Sequence, residues 1–406
     1  MQKAASLPTI VDVRNREEVE AEGRIEGAVN YPWGVVEKQP ELFSAILSDL
    51  PPGTVVFHCK SGRRSKKAQE LAEQLGCHSR HTLLDLEGGF QQWKEDGFPV
   101  NPFNNNHSPW VHTIFDKDTE TAQYVVTDIE TKEAYIIDPV LDYDPFSATV
   151  RPKTANHILN FVKQHGLNVT KIIDTHVHAD HLTAALYLKR HLDTKPEFCI
   201  GTDVTKVQAV FGKMYNIADD NMQPTGEQFD RLVKDGDQWK LGQNIMCSVI
   251  STPGHTPACL SYRIGDSAFV GDTLFMPDIG TARCDFPGGS SELMYESVHK
   301  MYRLWPDDTR VFVGHDYPPE GSGRSYEVMA FLGTHKKSNK MIKEGVTLEQ
   351  YTKLRKERDE KLRAPRYIHQ SLQTNLRGGH LPEQEKSALT DNETAGSFFK
   401  LPVRWK

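Results

Sequence analysis

Lys171-Ile-Ile-Asp-Thr-His176-Val-His178-Ala-Asp180-His181 places three histidines and an aspartate within six residues, directly after an apolar β-branched pair. The run 171–174 predicts a strand, and the polar residues after it predict the loop at its end. Imidazole nitrogen and carboxylate oxygen are the donors that borderline metals take. A single histidine is more often a satisfied core residue than a ligand. Three of them with an aspartate at a strand end read as a metal site.

Working outward, three later segments each close a predicted strand (246–251, 267–270 and 310–313): Thr252-Pro-Gly-His255-Thr256, Val270-Gly-Asp272-Thr273 and Val313-Gly-His315-Asp316. Each is weak alone, because Gly-Asp and Gly-His occur in many turns. Together and in this order they resemble the metallo-β-lactamase superfamily over residues 110–335. The resemblance implies an αββα sandwich of two sheets with metal at one sheet edge. In dinuclear members, His176, His178, His255 and a bridging Asp272 hold one ion, and Asp180, His181, Asp272 and His315 hold the other. All seven are present, so ligand identity leaves two zincs and one iron both open.

Finer segments resemble the persulfide dioxygenase branch, in its bacterial sulfur dioxygenase form. They are Gly271 to Phe286, His315-Asp316-Tyr317, Leu141-Asp-Tyr-Asp144 and Ser371-Leu-Gln-Thr-Asn-Leu-Arg377. The branch implies one Fe(II) per chain on His176, His255 and Asp272, a two-histidine-one-carboxylate triad with open positions. His178, Asp180, His181 and His315 then surround and orient those ligands. The implied reaction oxidises glutathione persulfide with O₂ to sulfite and glutathione. Arg283 and Tyr317 are the expected contacts to the thiol substrate, with a salt bridge to Asp285 the competing reading of Arg283. Cys247, Cys259 and Cys284 read as core packing.

Before residue 100 the pattern alternates strands (Thr9–Val13, Thr54–Phe57) with a helix expected over Lys66–Leu75, the mark of a parallel α/β sheet. In Phe57-His58-Cys59-Lys60-Ser61-Gly62-Arg63-Arg64-Ser65 a strand gives way to a polar loop and then a helix. Backbone N–H groups there, with Arg63 and Arg64, favour a thiolate at Cys59. A Cys-based phosphatase holds its arginine six positions after the cysteine; here that position is Ser65, so the loop suits one sulfur atom. Asp12-Val-Arg14, Gly23 to Asn30, His58 to Ser65, and Glu87-Gly-Gly-Phe90 with Trp93 resemble the rhodanese (sulfurtransferase) domain. That resemblance implies a persulfide carried on Cys59, and structural roles for Asp12 and Arg14.

The expected architecture is therefore an α/β rhodanese domain at 1–100 (a parallel sheet with flanking helices), a Pro/Asn-rich linker at 101–109, the αββα domain at 110–335, and a helical extension at 336–406 packed on it. A capping box at Thr347 and Gln350 predicts a helix over Thr347–Leu362. Phe398, Phe399 and Trp405 suggest that the tail docks. The 406 residues carry a formal charge of -7, with 38% hydrophobic and 25% charged residues. That excludes a disordered chain and argues against a nucleic-acid partner. No apolar run reaches the ~18 residues a bilayer needs, and the N-terminus has no secretory apolar region. Six scattered cysteines fit a reducing cytoplasm. The expected partners are small molecules (the persulfide, O₂, sulfite or thiosulfate), and the resemblance makes a homodimer one expectation.

A rhodanese moves sulfane sulfur and a persulfide dioxygenase consumes it, so the fusion reads as a bifunctional sulfur enzyme. One alternative is a dinuclear zinc glyoxalase II-like thioesterase with a fused rhodanese. Another is a non-catalytic persulfide sensor or carrier with a structural metal.

Overall fold

The computed structural model describes residues 7–103, 107–217, 222–319, 321–383 and 397–403. Its N-terminal part is a four-stranded parallel sheet in the order Val29–Asn30, Thr9–Asp12, Gly53–His58, His81–Asp85. Val11, Val55, Phe57 and Leu83 fill its core with Phe43, Ile46 and Leu47 of the helix Pro40–Asp49. The helix after Cys59 starts at Arg63 rather than Lys66, because Gly62 (φ 89°) makes the turn in the left-handed region. Ser65 thereby falls in the first helical turn, beside the cysteine.

The larger part is a sandwich of two six-stranded sheets. One runs Arg231–Val233, Glu197–Gly201, Asn168–Ile173, Glu133–Ile137, Thr121–Thr127, Trp110–Asp116; the other runs Gln238–Leu241, Ile245–Ser251, Leu260–Ile264, Ser267–Phe269, Arg310–Phe312, Met329–Phe331. Tyr124, Tyr135, Ile137 and Ile173 of the first sheet meet Val249, Tyr262, Ile264 and Phe269 of the second between the layers. Alternate residues point outward: Ile136 and Ile172 pack on the helix Lys153–His165, and Val311 with Ala268 on the helix Ser291–Leu304. This is the αββα layering. Leu182 and Thr183 pair as a strand with Leu141 and Val140, and the helix Ala185–His191 follows.

The extension forms Leu348–Asp359, capped by Thr347 and Gln350, and a second helix, Ile368–Asn375. Phe399 meets Tyr143 edge-on, 6.0 Å between ring centres, whereas Phe398 is exposed. Trp405 lies outside the described residues. Among the described residues no helix is long and apolar enough to cross a membrane.

The described ends of the expected linker are no loose tether. Ser108 donates to Asp266 at 2.5 Å and accepts from the Asn30 N–H, while His107 lies 2.9 Å from Glu20. Across the same face Arg24 pairs with Asp308, Arg16 with Asp128 (2.6 Å), and Trp110 donates to Asp49 (2.7 Å). Every sandwich residue named here lies near the end of the strands opposite the histidine loop. Thr127, beside Asp128, is at one end of its strand and Thr121, bridged to His315, at the other. Six residues at ~3.4 Å separate them by roughly 20 Å.

Candidate active sites

The metal-type cluster gathers at the C-terminal ends of strands from both sheets. Nε2 of His176 lies 3.9 Å, and Nε2 of His255 3.7 Å, from Oδ2 of Asp272. Nε2 of His315 lies 3.5 Å from both Asp272 Oδ1 and Asp180 Oδ2. The donor atoms of His176, His255 and Asp272 lie within 4.8 Å of one another, as do those of His178, Asp180 and His181. His176 Nε2, His178 Nδ1, His181 Nε2 and Asp272 Oδ1 are buried with no hydrogen-bond partner. Buried polar atoms are almost always satisfied, so four orphans converging on one place fit a cation.

The opposite ring nitrogens are held. His176 Nδ1 faces the Thr175 hydroxyl (3.1 Å), His178 Nε2 faces Asp138 (3.0 Å), and His255 Nδ1 and His315 Nδ1 face the carbonyls of Arg283 (2.8 Å) and Glu120 (3.0 Å). Such partners fix tautomer and ring orientation. Burial, with His178 and His255 alongside, holds His176 well below the ordinary imidazole pKa, in the neutral form a metal needs. Glycine precedes Asp272 and His315 for steric reasons. A Cβ on Gly271 (φ 47°) would stand 2.3 Å from the Thr175 hydroxyl, and one on Gly314 2.7 Å from Asp272 Oδ1.

Asp138 was not visible as a site residue in the sequence. It accepts the Thr175 N–H (2.7 Å) and hydroxyl (2.9 Å) besides facing His178. The available signal was its place after Ala134–Ile137, a strand parallel to the ligand strand, so both open on the same edge.

A cavity of about 580 Å³ opens over His255, Asp272 and His315. Its lining includes the rings of Phe275, Phe286 and Tyr317, the cations Lys340, Arg363 and Arg366, and the carboxylates of Asp118, Glu120 and Asp278. Both expected substrate contacts line it. Tyr317 stacks on His315 at 5.6 Å. The Arg283 fork is taken up by Asp285 (2.6 and 2.7 Å) and by the Arg363 carbonyl (2.6 Å), so the salt bridge is formed at the cavity wall.

At Cys59 burial pushes the thiol pKa up, but the Ser65 hydroxyl (3.5 Å from Sγ) and the N–H groups of Ser65, Ser61 and Arg64 outweigh it, and the net shift is downward. Arg64 is clamped by Glu18 (2.6 and 2.7 Å) and also feels the Cys59 sulfur, whereas Arg63 is exposed. Asp12 and Arg14 form a buried pair (2.7 Å), with Arg14 3.8 Å from the Phe90 ring centre. The other five cysteines are buried, with thiols pushed upward by burial.

The helix Arg16–Glu22 stands between the Cys59 loop and the sandwich. Arg16 reaches Asp128 of the sandwich and Glu20 reaches His107 just before it, while Glu18 and Glu22 hold Arg64 and Lys60 of the loop. At 3.6 residues per turn these pairs occupy opposite faces. The two sites therefore lie apart by a strand length plus a helix diameter, roughly 30 Å.

Comparison with known proteins agrees with this division. Residues 1–96 match the rhodanese-like domain and residues 118–315 the metallo-β-lactamase superfamily. The chain is 42% identical over 338 residues to the "Beta-lactamase hydrolase-like protein" of Xylella fastidiosa, covering 82% of this chain and 75% of that one. It is 40% identical to "Glyoxylase B2" of Dictyostelium discoideum, over 71% of this chain and 94% of that one. The human protein "Persulfide dioxygenase ETHE1, mitochondrial" is 30% identical over 50% of this chain and 67% of its own. The crystal structure of ETHE1 from Myxococcus xanthus matches with TM-score 0.52 and 27% identity, over 66% of this chain and 99% of that one. Two matched domains, and relatives aligned over most of their length, show that the chain belongs to the metallo-β-lactamase superfamily and carries a rhodanese-like domain at its N-terminus.

Proposed function

We propose that the chain is a bifunctional sulfur enzyme: a persulfide dioxygenase that converts glutathione persulfide, O₂ and water to glutathione and sulfite, joined to a sulfurtransferase working through Cys59. The observation that carries this reading is the grouping of His176, His255 and Asp272, two of which line a cavity that Lys340, Arg363 and Arg366 also line. Two imidazoles and one carboxylate are the donor set of non-haem iron oxygenases. The likeness to persulfide dioxygenase relatives supports it. An iron ion held there supplies a redox centre between the persulfide sulfur and O₂.

The protein's own groups do the rest. Lys340, Arg363 and Arg366 attract the carboxylates of a glutathione-type thiol, and Phe275 and Phe286 shield the reacting end from water. Glu120 and Arg283 fix His315 and His255 through their carbonyls. At the other site, the Cys59 thiolate attacks the outer sulfur of thiosulfate or of a thiol persulfide. The S–S bond breaks, sulfite or thiol leaves, and the sulfur stays on Cys59 until a second thiolate or sulfite takes it.

A second reading is a dinuclear zinc thioesterase. The grouping of His178, Asp180 and His181, with two orphan nitrogens, suits a second ion, and the Glyoxylase B2 relative favours it. Oxygen uptake on adding glutathione persulfide to Fe(II)-loaded and zinc-loaded protein separates the two. Uptake with iron alone, matched by sulfite, supports the dioxygenase. No uptake at full iron occupancy, with thioester hydrolysis by the zinc form, overturns it.

A further inference from the structure

The loop 174–181 brings His176, His178, Asp180 and His181 to the cation site while Val177 and Ala179 pack in the core, and its backbone has left the sheet. Buried carbonyls in such a loop need donors from elsewhere. Those of His178 and His181 receive them from one distant side chain. Asn375 Nδ2 donates to the His178 carbonyl at 2.9 Å and the His181 carbonyl at 2.8 Å, and Asn375 Oδ1 accepts the Thr183 N–H at 2.8 Å. Asn375 is buried at the end of the helix Ile368–Asn375, nearly two hundred residues away in sequence.

That helix is seated tightly. Ser371, Gln373 and Thr374 are buried with it, and Gln208 donates to the Leu376 carbonyl at 3.0 Å. The chain then passes so close to Gln228 that a Cβ on Gly378 (φ 62°) would stand 2.4 Å from its carbonyl oxygen. The amide of Asn375 therefore closes both ends of the His178–His181 stretch, which carries two of the four orphan atoms.

We infer that Asn375 is a positioning residue of the metal centre, and that the C-terminal helix bearing it is part of that centre. Its two donors hold the backbone from which His178, Asp180 and His181 project. The inference rests on metal binding at these ligands but not on which reaction the metal serves.

The test is titration of the metal-free full chain with Co²⁺, read by visible absorption and by competition with a chelator, on wild type, Asn375→Ala and Asn375→Asp. Asn375→Asp keeps the acceptor for Thr183 and loses both donors. Circular dichroism and the unfolding temperature of the metal-free protein report the fold separately. Both variants are expected to bind Co²⁺ at least about tenfold more weakly, with altered ligand-field bands and unchanged secondary structure. If Asn375→Ala does not fold, Asn375→Asp decides. Wild-type Co²⁺ affinity and bands in the folded variants overturn the inference, as does a lowered metal-free unfolding temperature with unchanged affinity. Wild-type protein that binds no Co²⁺ overturns it together with the metal reading itself.

Discussion

Nε2 of His176 and Oδ2 of Asp272 lie 3.9 Å apart, with nothing from the protein satisfying the His176 nitrogen. That separation is too long for a hydrogen bond and suits two ligands at about 2.1 Å from one ion. Metal should therefore stabilise the fold. At one hundred times its dissociation constant, the gain is about 2.7 kcal/mol. Asp272→Asn should abolish most of this metal-dependent rise in unfolding temperature, as calorimetry with and without chelator would show.

The depressed pKa of Cys59 sets the direction of its pH response. Thiolate fraction, and with it alkylation rate, should rise with pH around a midpoint below that of a free cysteine. Ser65→Ala removes the hydroxyl 3.5 Å from the sulfur. It should move the midpoint upward and slow iodoacetamide labelling near neutral pH several-fold. An unmoved midpoint would mean that the backbone N–H groups alone hold the thiolate.

Because helix Arg16–Glu22 separates the sites, their activities should be separable. Cys59→Ala should eliminate thiosulfate-to-thiol sulfur transfer and leave persulfide-dependent O₂ uptake within about twofold, a change worth only ~0.4 kcal/mol. Loss of both would contradict independence.

Lys340 and Arg363 line the cavity without belonging to the ligand set. Lys340→Glu and Arg363→Glu should each raise KM for glutathione persulfide about tenfold, or ~1.4 kcal/mol, with little change in kcat. The wild-type KM should also rise with ionic strength.

The interdomain pair Arg24–Asp308 is buried on both sides. Asp308→Ala strands a buried guanidinium and should cost about 3–5 kcal/mol, measured by denaturant unfolding. Arg24→Met combined with Asp308→Leu should recover much of that loss, since no charge is then left without a partner.

The candidate metal ligands and Cys59 were legible because their chemistry is concentrated. Three histidines and an aspartate share one loop, and Cys59 sits in a loop of its own. The strands beside them could be read from short apolar runs ending in Gly-Asp, Gly-His and Pro-Gly-His. Asn375 was a different case. It lies inside Ser371 to Arg377, a segment that carries the resemblance, but its role stayed hidden because its partners are backbone carbonyls that no sequence pattern displays. The pairing of Leu182 and Thr183 with Leu141 and Val140 is likewise a tertiary event that no local pattern displays. The salt bridge from Arg283 to Asp285 is one of the two readings the sequence offers, and the fold forms it at the wall of the cavity that Arg283 also lines.

Under the proposed function the protein would live in its own reagent. Persulfides and polysulfides convert accessible thiolates into persulfides, so each exposed cysteine is a point of self-poisoning. Cys77, Cys199, Cys247, Cys259 and Cys284 are all buried, with Cys199, Cys259 and Cys284 pushed up to about 12. Only Cys59 combines a lowered pKa with a loop fit to receive sulfur. Cys59 is itself buried, so under the proposed function it is this difference in thiol acidity, rather than exposure, that would direct sulfur to one address.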